Sequence, residues 1–345
     1  MPCAPFLLFG LKTNEQHIYT VVKWLILVLA YAYLAYKLVA FNDYATVSAH
    51  FAAAGVAHYA CLAGVLALLP LNLLLEAQKW RLLVRGLQPL SLMEAVKSVL
   101  VGQTGAFFTP NHLGDVPTRV LLLRPECRMS AIALGCVGSL ALTVVITVIG
   151  TVAAVCYAVW VRPSFVIDAS LTTWLFWGAL VVAVVALFVV PLLFRRQLAQ
   201  RLKCCRWHWV QLLGAGLDYL SWCDWWRVVA LSVGRFVVFS TQLYAMLLFM
   251  GVSLAPVEAL VAIPTIYLLV TYTPSFVASE AVVRGSYSVL ILSAFDANEV
   301  GMALSGILLW CVNFCVPMLM GSWLLRRSGS MSADADPQTQ GDACS

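Results

Sequence analysis

Two carboxylate–guanidinium pairs stand out in a chain with few charges. Asp115 with Arg119 and Glu280 with Arg284 are each spaced i, i+4, so on a helix each pair shares one face. Both pairs follow a Thr-Pro step, Thr109-Pro110 in one case and Thr273-Pro274 in the other. Such pairs have two uses in an apolar chain. They can neutralise each other near an interface, or their arginines can hold an anionic head group, assisted by the N-termini of short helices. The second use makes Asp115, Arg119, Glu280 and Arg284 the centre of a binding site. Asn111 and His112, in the first break, belong to it by position, although with Gly114 they also suit a plain turn.

Four more polar residues join the candidates. Arg235 and Gln242 lie within an apolar run, where a buried arginine needs a partner that the sequence does not name. Glu76 and Arg81 follow another run, close to Lys79 and Trp80. The cations here are expected to snorkel and Trp80 to anchor at the interface. Covalent or metal chemistry would need a nucleophile with a base, or clustered ligands. The five histidines are dispersed, and no carboxylate or histidine cluster lies beside the breaks. No P-loop occurs, and the 11 cysteines lack metal-ligand spacing and read as packing residues. The expectation is a non-enzyme with no catalytic residue, metal or cofactor.

The elements that must position these residues are membrane helices. Of the 345 residues 62% are hydrophobic and 11% charged, with a mean hydropathy of +0.90. Apolar spans are expected near 20–41, 53–75, 130–160, 171–194, 228–250 and 300–325, each long enough for about 20 residues of membrane helix. Two further stretches, 91–109 and 256–294, are broken by the Thr-Pro steps. They resemble each other: Glu94 and Glu258, like Pro110 and Pro274, are 164 residues apart. Ser91 with Glu94 forms a capping box, and Pro256 with Glu258 marks the second start. Gly102 and Gly105 weaken the first helix, Pro117 suits a returning one, and Ser275 can cap the segment after Pro274.

Lysines and arginines set the orientation. Segments on the N-terminal side of the bilayer hold 16 of them and the opposite segments 2, which places both termini in the cytoplasm. The expected architecture is therefore an all-α polytopic transmembrane bundle of two inverted repeats, each with a broken, re-entrant helical hairpin. A cytoplasmic segment 1–19 precedes the first repeat, 20–165, with its re-entrant element at 91–124. The second repeat is 166–325, with its element at 256–294, and 326–345 form a disordered cytoplasmic tail. The tryptophan- and arginine-rich stretch 195–226 reads as a cytoplasmic interfacial piece.

Four stretches carry a resemblance: NLLLEAQKWRLL (72–83), GQTGAFFTPNHLGDVPTRVLLL (102–123), GRFVVFSTQLYAMLLFMGV (234–252) and PTIYLLVTYTPSFVASEAVVRGS (264–286). They resemble the flippase-like family, also described as the transmembrane region of lysylphosphatidylglycerol synthase. The resemblance covers about residues 20–325. It departs at His112, where the family more commonly has Arg, and at Asp115, where it has Glu. It implies a bacterial multi-pass inner-membrane protein that moves a lipid, or a lipid-linked intermediate, between leaflets, without the synthase's aminoacyl-transferase domain. The expected partner is an anionic or lipid-linked head group and not a nucleic acid. Two other readings stand beside it: a membrane enzyme acting on lipid phosphates or sugars, and a scaffold that binds envelope-synthesis proteins.

Overall fold

The computed structural model describes residues 55–107, 109, 112–161, 182, 195–204, 211, 220–274 and 277–333. The expected segment 1–19, the span 20–41, nearly all of 171–194, and residues Pro110, Asn111 and Ser275 lie outside them, as do 334–345. Among the described residues the chain is all-helical. The helices are α1 (Val56–Val84), α2 (Leu92–Phe107), α3 (Asp115–Arg119), α4 (Arg128–Trp160), α5 (Arg195–Lys203), α6 (Trp222–Phe249), α7 (Pro256–Tyr272), α8 (Val277–Leu292), α9 (Glu299–Trp310) and α10 (Val316–Ala333). Two 3-10 turns, Val120–Leu122 and Pro125–Cys127, join α3 to α4. A π-helical turn, Cys311–Cys315, makes α9 and α10 one continuous rod.

Four helical stretches are long and apolar enough to cross a membrane: His58–Val84, Pro125–Trp160, Trp222–Phe249 and Glu299–Leu325. The first extends past the expected end at 75, so Glu76, Lys79 and Trp80 lie on the span itself. The last helix continues to Ala333, past residue 326, where the polar tail was expected to begin.

Each Thr-Pro step ends a helix in the same way. Proline cannot donate from its backbone and disfavours helical geometry in the preceding residue. The threonine before it turns its hydroxyl back onto its own helix: Thr109 donates to the Gly105 carbonyl at 3.1 Å and Thr273 to the Leu269 carbonyl at 2.7 Å. Thr109 Oγ1 also accepts the Gly114 amide at 2.7 Å, which closes the first turn. At the other ends, Glu94 accepts from the Ser91 amide and hydroxyl, and Glu258 from the Ala255 amide. The two Ser91 bonds hold the exposed Glu94 carboxyl below the usual carboxylate range.

The helices pack reciprocally. α1 lies along α6 in antiparallel fashion: Arg85 meets Asp224 at one end, Gln242 bonds to the Val65 carbonyl further along, and Tyr59 meets Phe249 at the other end. α2 packs on α10 and α7 packs on α4. Small residues allow both crossings. A Cβ on Gly321 of α10 would fall 1.9 Å from the Leu100 carbonyl oxygen and 2.6 Å from Thr104 Oγ1. One on Gly150 of α4 would fall 3.0 Å from the Pro264 carbonyl oxygen and 2.8 Å from Leu268 Cβ. Leu100 and Pro264, and likewise Thr104 and Leu268, are 164 residues apart, the same offset that relates the two Thr-Pro steps.

Candidate functional site

The polar residues gather where the broken helices meet the long ones. Glu76 on α1 is buried and is shared by three cations. Arg119 Nη1 donates to its Oε1 at 2.6 Å, Lys79 Nζ lies 2.8 Å from Oε2, and Arg235 Nη1 also donates to Oε2. Arg119 reaches Glu76 because α3 lies flat against α2. A Cβ on Gly102 would fall 2.3 Å from Asp115 Oδ1 and one on Gly105 would fall 1.8 Å from Thr118 Oγ1. These two glycines leave room for α3 and do not break α2, which runs unbroken to Phe107.

Arg119 is held by two carboxylates. Its Nε and Nη2 form a fork onto Asp115, while its guanidinium sits 5.9 Å from the centre of the Trp80 ring. Arg235, whose partner the sequence did not name, donates from Nε to Asn72 Oδ1 at 2.9 Å and from Nη1 to Glu76. From Asn72 the chain of hydrogen bonds continues through Asn313, on the π-helical turn, to Gln242.

The second pair is joined to the first break by a link across the molecule. Arg284 Nη2 donates to Glu280 Oε1 at 2.6 Å, and His112 Nε2 lies 2.7 Å from Glu280 Oε2. His112 takes a left-handed backbone with φ of 56°, uncommon outside glycine though less so for histidine. Its ring is kept in place by Glu280 and by an edge-on contact with Phe314, 4.9 Å between centres. Trp310 Nε1 also points at Glu280, at 3.4 Å. The pairs differ in exposure: the side chain of Arg119 is 5% exposed, those of Arg284 and His112 26% and 37%.

The structure thus brings together Glu76, Asp115, Arg119 and Arg235 in one cluster and His112, Glu280 and Arg284 in another. Two expectations need correction, those for Arg81 and for Lys79 with Trp80. Arg81 belongs to neither cluster: it is exposed and its Nε donates to the Leu90 carbonyl, because five residues from Glu76 it lies on another side of α1. Gln242 bonds to the Val65 carbonyl and to Asn313, which ties it through Asn72 to Arg235. Lys79 does not snorkel and Trp80 is no interfacial anchor, since both are buried, with Glu76 and Arg119 as their partners. Asn72, Asn313 and Trp310 went unread; each is a lone polar or aromatic residue in an apolar run, with no local pattern to mark it.

With every group ionised, Lys79, Arg119 and Arg235 face Glu76 and Asp115, which leaves one positive charge in excess among the described residues. No family model, curated protein or solved structure matches the chain.

Proposed function

We propose that this chain is an integral membrane protein that translocates an anionic lipid, or a lipid-linked intermediate, between the leaflets of a bilayer. The observation that carries the reading is a buried, cation-rich cluster on apolar helices. Glu76, Lys79 and Arg235 lie on stretches long enough to cross a membrane, Arg235 midway along its own. Ionisable groups at such depth cost roughly 2.5–3.5 kcal/mol each on insertion scales, and they are kept where they pair or line a path. A surplus of positive charge suits an anion.

The proposed architecture is a pair of inverted repeats with re-entrant hairpins, in a bacterial inner membrane with both termini cytoplasmic. Its support is the antiparallel packing of α1 on α6, each the long helix before a Thr-Pro-broken one, and the reciprocal seating of Gly321 and Gly150. The resemblance to the flippase-like family points the same way. Head groups are proposed to pass between Asp115/Arg119 on one side and Glu280/Arg284 on the other.

The test is reconstitution into liposomes carrying a fluorescent anionic lipid, read by quenching from outside. The wild-type protein is expected to expose the inner-leaflet probe, and Arg284→Ala, which leaves the buried cluster intact, to slow this at least tenfold. Equal rates in protein-free vesicles would end the proposal. A change in the mass of the lipid would instead favour an enzyme.

A further inference from the structure

The buried cluster is short of acceptors. The Lys79 ammonium has three donors, and the one acceptor facing it among the described residues is Glu76 Oε2. Arg235 uses Nε on Asn72 and Nη1 on Glu76, its guanidinium lies 5.1 Å from the centre of the Phe239 ring, and its side chain is 14% exposed. The indole N–H of Trp80 is buried and also without a partner among the described residues. The groups around Lys79 come from every side. α1 supplies Glu76, α3 supplies Arg119 with Asp115, and α6 supplies Arg235. α4 approaches at Gly138, where a Cβ would lie 3.8 Å from Lys79 Cε, and the ionisable residues of α2, Glu94 and Lys97, are exposed.

The surplus of charge and the shortage of acceptors can be relieved together in two ways. A guanidinium does not lose its proton in a protein, and carboxylates that each accept from charged donors stay ionised. Lys79 is therefore the member of the cluster whose charge can change. As a neutral amine it gives up one donor and gains a lone pair, able to accept from a neighbouring N–H group. Alternatively Lys79 stays charged and an oxyanion supplies the missing acceptors and the missing negative charge.

We propose that Lys79 is a protonation switch on an oxyanion site: it is neutral when the site is empty and charged when a phosphate-type oxyanion lies against Lys79 and Arg235. Each anion bound brings one proton with it, and by linkage each proton favours the anion. This rests on the reading of the cluster as a head-group site, and it supplies a driving force, because anion and proton would cross in the same direction.

The experiment is calorimetric titration of the purified full-length protein with dioctanoyl phosphatidylglycerol and, separately, with inorganic sulfate, an oxyanion that does not itself titrate over the series. Each is run in two buffers of different ionisation enthalpy, so that the difference counts protons taken up per anion. Over a series from about pH 6 to about pH 10, uptake is expected to rise to about one proton per anion while affinity falls about tenfold per pH unit. Lys79→Arg, charged throughout, is expected to bind with no uptake. Response to the lipid alone identifies a lipid head group as the ligand; response to both identifies the bare oxyanion. Binding without uptake across the series, or unchanged uptake in Lys79→Arg, overturns the switch and leaves the head-group reading standing. Uptake without lipid movement in liposomes keeps the switch and removes the transport reading. Absence of binding by both anions overturns both.

Discussion

Replacing Glu76 with Gln removes the carboxylate that three cations share. Its Oε1 serves Arg119 and its Oε2 serves Lys79 and Arg235, all within a region where Glu76, Lys79 and Arg119 are each 5% exposed or less. The amide keeps one accepting oxygen and sets an N–H donor against the basic groups that faced the other, while the cluster becomes more positive by one unit. Breaking a buried ionic arrangement by removing one partner costs about 3–5 kcal/mol, whereas an exposed network would lose only about 0–1 kcal/mol. Equilibrium unfolding of the purified protein in denaturing detergent is the assay. Glu76→Gln is expected to fall in the upper range. Arg235→Gln in addition removes one of the stranded cations, so the double variant should lose less than the sum of the two singles by about 0.5–3 kcal/mol. Additive losses, or a cost below about 1 kcal/mol for Glu76→Gln alone, would refute the view that these groups act as one buried unit.

The helix crossings give a second prediction: Gly321→Ala and Gly150→Ala should each destabilise the protein by about 1–3 kcal/mol through overpacking, Gly321 more because its Cβ would strike a backbone oxygen at 1.9 Å. Unfolding in the same assay checks this, and a neutral Gly321→Ala would contradict the close approach of α10 to α2. Orientation is tested with cysteines at Pro89 and Ala255, both exposed and just before α2 and α7; an impermeant maleimide should label them from opposite sides of the membrane, and labelling from one side would rule out inverted halves. The Glu94 cap sets a pH dependence. Its carboxyl is depressed by the Ser91 amide and hydroxyl, so its contribution is complete above the ordinary glutamate range and is lost as pH falls through the lowered value. Amide exchange in the first turn of α2 should quicken over that acid window in the wild type, and Glu94→Gln should remove the window.

The charged pairs could be found from sequence because they are local. Asp115 with Arg119 and Glu280 with Arg284 sit one helical turn apart, and both pairs form. The ends of α2 and α7 were visible for the same reason, since capping residues and Thr-Pro steps act within a few positions. Long-range partners were not. Arg235 and Glu76 are 159 positions apart, and no single-chain pattern relates them. Lys79 and Trp80 misled because a cation and an indole after an apolar run are the usual mark of an interface. What reverses that reading is the arrival of α3 and α6 over the same face of α1. Gly102 and Gly105 read as helix weakeners, yet their role is to admit α3 within contact distance, which depends on a neighbour that the local sequence does not announce.

Two of the links that join the first part of the molecule to the second differ in kind. Glu76–Arg235 is buried, and Arg235 and Glu76 are each tied to further partners, Asn72 in one case and Lys79 and Arg119 in the other. His112 meets the second part through Glu280 and an edge-on contact with Phe314, and it is a turn residue whose side chain is 37% exposed and whose backbone is in a sparsely populated region. Breaking the first strands several charges without water, while breaking the second releases a solvated ring and leaves Glu280 still paired with Arg284. Separating His112 from Glu280 therefore breaks fewer and more exposed contacts than separating α1 from α6. The molecule has a firm seam along α1 and α6 and a yielding one at His112. Under the proposed function, an anion arriving at the yielding seam finds Arg284, 26% exposed, before the buried Arg119. The fully buried Arg119 becomes available only after Asp115, 18% exposed, shifts from its fork. This order follows from burial and partner count, and under the proposed function it assigns the two repeated pairs unequal tasks: Glu280/Arg284 for entry, and the Glu76 cluster for holding.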